Sequence, residues 1–521
     1  MKRTYKIKRG KKIIEREYFY IPFRYIIAIL ISLIEILSVL GIAVACCYYS
    51  PYLLACAGVV EILCLIRIIA SDDNPEYKVP WIVVVLTLPI IGFMLYLMFY
   101  SRKLKRKYVK RLYELKEYGY KSDDTRATER LAEIDAHMAS QIRMLCNISG
   151  ATLFEGTATK YYPDATDMWQ DMLADIEKAR HFIFLEYFIF EEGVFWNSLL
   201  NALKSKAADG VTVRLIYDDI GCMTTLPGGY SKQLRQYGIE ATPFSRLKGQ
   251  ADSEFNNRSH RKICVIDGII GYTGGVNIAD EYVNEKARFG HWKDTAIRLE
   301  GEAVRELTRL FMCDYGLNVK ELPKNIFEPY PRLEGRDSDG FVTPFGDGPR
   351  PLYERRVGKS VLLNMLYSAT EYFYITTPYL IVDNDMCTAI ENASLRGVDV
   401  RIILPHIPDK RIVFQITKSY YPRLVKAGVR IYEYTPGFIH AKGYLCDGRC
   451  AMIGSINLDY RSLVHHFENG VLLCGCSSIS DMRQDFDKTL EKCQEITQKD
   501  CKAGLFTRLF RDTLRIFAPM L

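Results

Sequence analysis

Hydrophobic positions divide this chain into two regions of different character. Residues 22–70 and 80–100 are almost wholly apolar, whereas the sequence after about residue 111 alternates short apolar runs with polar stretches. The short runs are rich in β-branched and aromatic residues and predict buried strands, and stretches such as 166–180 and 194–208 carry apolar residues at helical spacing. This alternation predicts an α/β fold in which helices cover both faces of the sheets.

The apolar N-terminal region predicts a helical membrane anchor over residues 1–110. Tyr25–Cys47, Tyr52–Ala70 and Trp81–Tyr100 each have the length of about 20 residues that crossing the hydrocarbon core requires. Basic clusters flank both ends of the region, and the positive-inside rule would keep both in the cytoplasm, which requires an even number of crossings. Three charged residues are costly inside a bilayer: Glu35, Glu61 and Arg67. Two crossings with a cytoplasmic catalytic part are favoured, and three remain open.

The remainder of the chain contains an internal repeat. One copy includes His181-Phe-Ile-Phe-Leu-Glu-Tyr and Gly210-Val-Thr-Val-Arg-Leu-Ile-Tyr, and the other includes Tyr372-Phe-Tyr-Ile-Thr-Thr-Pro-Tyr and Gly397-Val-Asp-Val-Arg-Ile-Ile-Leu. The period is too long for a solenoid and predicts two α/β units of similar plan, at 111–330 and 331–500. An amphipathic helix is predicted to follow at 501–521.

The repeat is sharpest at two motifs of the pattern His-x-Lys-x4-Asp, each followed after six residues by a glycine-containing turn and an asparagine. The motif residues are His260, Lys262, Asp267 and Asn277 in the first copy, and His440, Lys442, Asp447 and Asn457 in the second. On a strand, His and Lys two positions apart point to the same side, so both can face one phosphate. The glycine turns allow backbone amides to approach an anion closely. Two matching copies therefore predict a phosphate site.

Charge and cysteine content narrow the function. Residues 1–111 contain 18 Lys and Arg against seven Asp and Glu, so the net charge of +7 leaves a balance of −4 for residues 112–521. A nucleic-acid enzyme would more often carry its positive charge on the catalytic part, which disfavours a nuclease. The 15 cysteines show no zinc-ligand spacing, and no carboxylate cluster for Mg²⁺ stands out. Neither a metal nor another cofactor is expected.

The doubled motif resembles the defining pattern of the phospholipase D superfamily, and the chain is more closely similar to bacterial cardiolipin synthases. The likeness extends over essentially the whole chain, through Asn74-Pro-x-Tyr-Lys, Leu185-Glu186-Tyr187, His291-Trp-Lys-Asp294-Thr, Thr377-Pro-Tyr379, Ser419-Tyr420-Tyr421, Asn457-Leu-Asp-Tyr-Arg-Ser-Leu and Glu468. It implies two repeated α/β sandwich domains of phospholipase D type that form one shared active site.

The resemblance also implies a mechanism. One histidine attacks phosphorus and forms a covalent phosphohistidine, while the other protonates the departing alcohol and then deprotonates the incoming one. Lys262 and Lys442, helped by Asn277 and Asn457, would hold the non-bridging oxygens. Each of two acids, Asp294 and Glu468, would orient the histidine of the opposite half. Which histidine is the nucleophile stays open.

Several further residues are compatible with two interpretations. Asp267 and Asp447 immediately precede glycines, so a turn-forming role is about as plausible as a catalytic one. Five residues either line the substrate site or belong to the core: Glu186, Tyr187, Tyr379, Tyr420 and Tyr421. The C-terminal helix has one apolar face and an arginine-bearing opposite face, which suits either the membrane interface or docking on the protein.

The resemblance makes phosphatidyl transfer between two phosphatidylglycerol molecules, giving cardiolipin and glycerol, the expected reaction. Phosphatidylglycerol and cardiolipin in the cell membrane would be the partners, with no nucleic acid. The alternatives are a phospholipase D or a transferase that uses another head-group alcohol, and a non-catalytic membrane scaffold. A scaffold has no need for both His-x-Lys pairs, which argues against the last.

Overall fold

The computed structural model describes residues 2–9, 12–19, 51–88, 91–100, 126–246, 257–319 and 340–520, with scattered positions in 30–48, 109–115 and at 321. At the N-terminus, β1 (Lys2–Arg9) and β2 (Lys12–Phe19) form an antiparallel hairpin. Three helices follow: α1 (Pro51–Ala70), α2 (Pro75–Thr87) and α3 (Ile91–Phe99). The α2 helix begins after Asn74, whose side chain accepts a hydrogen bond from the backbone of Glu76.

The predicted membrane anchor is not supported in the form expected. The predicted span Trp81–Tyr100 is divided between α2 and α3, helices of 13 and 9 residues, and each is shorter than the about 20 residues that a crossing needs. In the described part of the chain, no helix combines the length and the apolar character needed to cross a membrane. The predicted span Tyr25–Cys47 lies largely outside the described residues. The multi-pass prediction is therefore unsupported.

The first half is built on a seven-stranded sheet with the order β3-β10-β8-β7-β4-β5-β6. Its strands are β3 (Thr157–Tyr162), β4 (Phe182–Tyr187), β5 (Thr212–Asp218), β6 (Ile239–Phe244), β7 (Ile263–Ile266), β8 (Ile270–Gly274) and β10 (Ala296–Gly301). Its helices are α6 (Ala165–Glu177), α7 (Val194–Ala208), α8 (Tyr230–Arg235) and α9 (Val304–Asn318). Every residue of β4 is buried, as the run of apolar residues predicts for a central strand.

The second half repeats this plan in an eight-stranded sheet with the order β11-β18-β17-β16-β12-β13-β14-β19. Its strands are β11 (Phe341–Asp347), β12 (Tyr372–Thr376), β13 (Asp399–Pro405), β14 (Arg430–Tyr434), β16 (Gly443–Cys446), β17 (Cys450–Gly454), β18 (Glu468–Cys474) and β19 (Cys493–Ile496). Its helices are α10 (Val357–Ser368), α11 (Asn384–Leu395), α12 (Arg411–Lys426) and α13 (Ser478–Leu490). In each sheet three parallel strands continue into antiparallel ones, so the two sheets share one topology.

Two features join the halves. Strands β9 (His291–Lys293) and β15 (Gly437–Ile439), one from each half, pair in parallel. A continuous hydrophobic core also contains residues of both sheets, such as Ile263 and Val265 together with Ile453 and Val471. Burial of this shared apolar surface stabilises one fixed arrangement of the two halves.

Helices outside the repeat pack mainly on the second half. The pair α4 (Arg126–Ile134) and α5 (Ala136–Ser149) contributes to the hydrophobic core of that half. The C-terminal helix α14 (Leu505–Phe517) lies against α12 and α2. Its Arg511 donates a hydrogen bond to Gln415 at 3.0 Å, whereas its Phe506 remains 87% exposed. The helix therefore docks through one side and leaves large apolar side chains uncovered.

Candidate active site

Each histidine of the repeated motifs lies where the backbone contacts the opposite half of the chain. His260 follows Ser259, which forms an isolated bridge with Phe467, and the His260 amide donates to the Phe467 carbonyl at 2.8 Å. His440 follows strand β15, and its amide donates to the carbonyl of Lys293 at 2.7 Å. The backbone of each histidine is therefore fixed by the other half of the chain.

Each imidazole is paired with a carboxylate of the opposite half. Nδ1 of His260 lies 3.0 and 3.1 Å from the two carboxylate oxygens of Glu468, and Nδ1 of His440 lies 2.6 Å from Oδ2 of Asp294. Both carboxylates are almost fully buried. A carboxylate at Nδ1 holds the proton on that nitrogen and leaves Nε2 available for chemistry.

The carboxylates are in turn held by donors that sequence reasoning did not single out. The hydroxyls of Ser455 and Ser462 both donate to Glu468, and the backbone amide of Thr295 donates to Asp294 at 2.8 Å. Ser455 belongs to the glycine-containing turn of the second motif, and this position is the sequence signal that could have identified it. Ser462 lies in the stretch Asn457-Leu-Asp-Tyr-Arg-Ser-Leu, which carries the family resemblance, but its spacing alone does not indicate Glu468 as its acceptor.

The two lysines are buried beside the histidines. Nζ of Lys262 donates to the backbone carbonyl of His260 at 2.6 Å, and Nζ of Lys442 donates to that of His440. Burial lowers the pKa of Lys262 to about 7, although the charge of Glu468 opposes that shift. Burial likewise lowers the pKa of Lys442 to about 8.

The remaining charges of the site complete its electrostatics. Burial raises the pKa of Asp294 to about 7, against the effect of the nearby Lys442. Burial, followed by the charge of its own motif lysine, holds the pKa of each catalytic-motif histidine well below its usual value. The positive charges of the two lysines and the negative charges of the two carboxylates cancel. A phosphodiester that enters the site adds one negative charge, and this charge favours protonation of one imidazole.

The two motif asparagines are both buried but differ in their bonding. The side-chain amide of Asn277 donates to the hydroxyl of Tyr282 at 2.6 Å and its oxygen accepts from the backbone of Ile189. The side-chain oxygen of Asn457 has no hydrogen-bond partner within the described residues. Tyr282, which sequence reasoning missed, lies with its ring 5.5 Å from that of His440.

The motif aspartates lie outside this arrangement. Asp267 accepts hydrogen bonds at 2.8 Å from the backbone amides of residues 180–182, and Asp447 accepts equivalent bonds from those of residues 370–372. Both aspartates have positive φ angles, 53° and 52°, and each directly follows the short strand that begins three residues after its histidine. This geometry favours the turn-forming interpretation over the catalytic one.

The other predicted lining residues differ in their burial and in their partners. Tyr379 is partly exposed and donates to Asp409 at 2.7 Å, whereas Tyr187 is buried in the core of the first half. Tyr420 faces Arg515 of α14, and Tyr421 donates to Glu433.

Glu186 is buried behind the site. It accepts a hydrogen bond at 2.6 Å from Ser259, the residue before His260. Burial and the nearby Asp314 raise its pKa well above the usual value. Its position therefore favours support of the histidine backbone over contact with substrate.

One further histidine borders the site. His466 is buried with its ring 5.6 Å from that of His260, and burial lowers its pKa to about 3. Of the described residues, His260, His466 and Glu468 form the one group of three side chains whose donor atoms, all within 4.8 Å of one another, could hold a metal ion. The Glu468 carboxylate already accepts hydrogen bonds from two hydroxyls and from Nδ1 of His260, so its oxygens do not form an open coordination site.

Comparison with known proteins agrees with this geometry. The repeated fold with one two-histidine site defines a protein of the phospholipase D superfamily. A family model described as cardiolipin synthase, PLD-like domain matches residues 172–308 and 362–490, and one described as phospholipase D-nuclease N-terminal matches residues 60–99. The chain belongs to the cardiolipin synthase family.

Individual relatives cover most of the chain. A cardiolipin synthase of Alkalihalophilus pseudofirmus is 35% identical over 88% of this chain and 91% of its own length. An uncharacterized protein of Streptococcus mutans is 38% identical over 88% of this chain and 99% of its own length. The crystal structure of a phosphatidylserine synthase from Haemophilus influenzae covers 74% of this chain and 98% of its own, with a TM-score of 0.55 and 15% identity. The last match shows a likeness of fold alone.

Proposed function

We propose that the chain is a cardiolipin synthase that transfers a phosphatidyl group from one phosphatidylglycerol to another, releasing glycerol. The crossed pairing of His260 with Glu468 and of His440 with Asp294 carries this proposal. Two imidazoles with Nδ1 held by buried carboxylates suit a nucleophile and an acid–base partner. The cardiolipin synthases among the relatives support the choice of phosphatidylglycerol as substrate.

In the first step, Nε2 of one histidine attacks phosphorus and the bond to the departing glycerol oxygen breaks. The second histidine, protonated when the anionic substrate enters, gives its proton to that oxygen, so free glycerol leaves. The ammonium groups of Lys262 and Lys442 stabilise the negative charge on the non-bridging oxygens. Such preorganised donors in a site that excludes water are usually the largest contribution to catalysis.

In the second step, the neutral second histidine removes the proton from the terminal hydroxyl of another phosphatidylglycerol. The resulting oxygen attacks phosphorus and the bond to the nucleophilic histidine breaks, which regenerates the enzyme. One phosphodiester replaces another, so the reaction is close to isoenergetic and reversible. The residues described perform every step, and the proposed mechanism uses no metal.

We further propose that the enzyme works at a membrane surface. Large apolar side chains remain uncovered on α1 and on α14, among them Ile62, Leu63, Leu505, Phe506 and Leu509. On α14 these side chains share the helix with Arg508, which is 78% exposed. An exposed helix with one apolar face and arginines beside it is suited to the membrane interface.

Product analysis tests the function. The purified full-length chain would be incubated with vesicles of head-group-labelled phosphatidylglycerol, with the His440→Ala variant as an inactive control. We expect glycerol and cardiolipin in equal amounts and little phosphatidic acid, and excess glycerol should convert added cardiolipin back to phosphatidylglycerol. Predominance of phosphatidic acid, with no reversal by glycerol, would identify a phospholipase D instead.

A further inference from the structure

A cavity of about 380 Å³ lies between the N-terminal helices and the second half of the protein. One wall comes from Arg67 of α1, from Tyr96 and Leu97 of α3 and from Tyr100 directly after α3, and the other comes from residues 348–356 and Val464. Its volume falls within the range of about 300–1,000 Å³ that is typical of small-molecule sites. None of the motif residues lines it.

The cavity is strongly basic. Four arginines line it together with two carboxylates, and their residues are Arg67, Arg350, Arg355, Arg356, Asp73 and Glu354. Asp73 already accepts a hydrogen bond from the hydroxyl of Tyr100. Arg67 and Arg355 form no ion pair with any residue that the structure describes, so both guanidinium groups are available for an anion.

The same cavity also has an apolar side. Leu97, Tyr353 and Val464 line it, and Leu97 is 60% exposed. Behind this side, the rings of Trp81, Tyr96 and Tyr100 pack edge to face or tilted at centroid distances of 4.4 to 6.2 Å. A ligand with a phosphate and attached hydrocarbon would fit both sides, whereas a free phosphate would use the basic side alone.

The cavity is connected to the active site by a short structural path. Arg356 donates to the carbonyl of Leu463 at 3.4 Å, within the helical segment Arg461–His465. Ser462 of the same segment donates to Glu468, the carboxylate partner of His260. A ligand in the cavity would therefore contact Arg356, which hydrogen-bonds to the same segment that holds Glu468 in place.

We propose that this cavity is a second, non-catalytic site for the head group of an anionic phospholipid. The guanidinium groups of Arg67 and Arg355 bind the phosphate, and the acyl chains lie along the exposed apolar residues of α1 and α3. Binding is separate from phosphatidyl transfer, so it is measured independently of activity.

The test counts lipids retained by the full-length chain. Native mass spectrometry would follow binding of phosphatidylglycerol to the protein in detergent micelles, in a His260→Ala background that prevents turnover. The Arg67→Gln/Arg355→Gln double variant should retain one phospholipid fewer than the His260→Ala background alone. Its affinity for that additional phospholipid should be at least about tenfold lower, since charge-assisted contacts are lost. A double control, Arg143→Gln/Arg180→Gln, removes two exposed arginines elsewhere and should retain the full number. Arg355→Lys, which keeps the charge, should retain most of the binding.

The remaining arms separate the possible ligands. Zwitterionic phosphatidylcholine should not occupy the additional site. Inorganic phosphate should not displace the retained lipid, and displacement would assign the cavity to a soluble phosphate ligand instead. Equal lipid retention by the pocket variant and the arginine control would refute the proposal, whatever the enzyme's activity.

Discussion

Replacement of Glu468 by glutamine tests the crossed pairing most directly. The carboxylate is fully buried and accepts from three donors: the Ser455 and Ser462 hydroxyls and Nδ1 of His260. Glutamine has nearly the same size but offers one acceptor oxygen, and its NH₂ group must face one of these donors. The change removes charge and reverses one hydrogen bond without creating a cavity.

The size of the effect follows from these contacts. A buried donor left without an acceptor costs about 1–3 kcal/mol, so the free energy of unfolding should fall by roughly that amount. Loss of the carboxylate also moves the imidazole proton from Nδ1 to Nε2, where the lone pair is needed. The equivalent acid-to-amide change in a serine protease triad, a known example, lowers kcat by about 10⁴-fold. We expect a loss of about 10³- to 10⁴-fold here, far beyond what the modest destabilisation explains.

The assay would compare kcat for phosphatidyl transfer in Glu468→Gln, Asp294→Asn and Glu495→Gln. Glu495 forms an exposed ion pair with Arg430, so its replacement is a matched control of the same chemistry away from the site. Thermal unfolding of each variant would establish the folded fraction. If Glu468→Gln kept more than about a tenth of the wild-type kcat, the activation free energy would have risen by less than about 1.4 kcal/mol. That result would refute the orienting role of Glu468.

Four further results are expected. The His260→Ala and His440→Ala variants should each abolish transfer, and the double variant should be little worse than either, because residues that act as a unit are not additive; half the activity in either variant would indicate two independent sites. Transfer by the wild-type protein should decline as pH rises through about 7 to 8, because Lys262 and Lys442 lose their charge at those pKa values; a profile that stays level to high pH would contradict the role of the ammonium groups. Asp447→Ala should lower the free energy of unfolding by about 2–3 kcal/mol through lost backbone hydrogen bonds, with kcat per folded molecule unchanged; a kinetic defect without destabilisation would restore its catalytic interpretation. Transfer should survive chelation with EDTA, and recovery of lost activity only on addition of a divalent ion would overturn the proposed mechanism.

Much of this arrangement could be anticipated from the sequence because the chemistry is repeated. The doubled motif identified His260 and His440 together with their lysines, and the family resemblance suggested that Asp294 and Glu468 pair across the halves. The structure places Glu468 beside His260 and Asp294 beside His440, and the catalytic roles of these residues stay predictions. Spacing within one strand fixes only the side on which a residue lies. The pattern therefore could not decide between a catalytic and a turn-forming role for the motif aspartates.

The features that the sequence left open, and the anchor that the structure does not support, depend on contacts between distant segments. The pattern of Tyr420 and Tyr421 is the same whether the neighbour is a substrate or a helix, and in the structure Tyr420 contacts the C-terminal helix. The predicted anchor rested on the length of the apolar runs and on the basic clusters that flank them, and neither reveals that the segment up to Tyr100 is divided into two helices. The role of Ser462 was not predicted, although the residue lies in a stretch that carries the family resemblance, because a hydroxyl group is common and its acceptor is not evident from the sequence.

The crossed pairing also governs when the protein becomes active during its synthesis. The ribosome delivers the first half before the second, and domains generally fold as they emerge. That first half carries His260 and Asp294, yet each lacks its partner until β15 and β18 have been added. We therefore expect a nascent or truncated chain that ends before β18 to lack phosphodiester cleavage, because neither His260 nor Asp294 then has its partner from the second half.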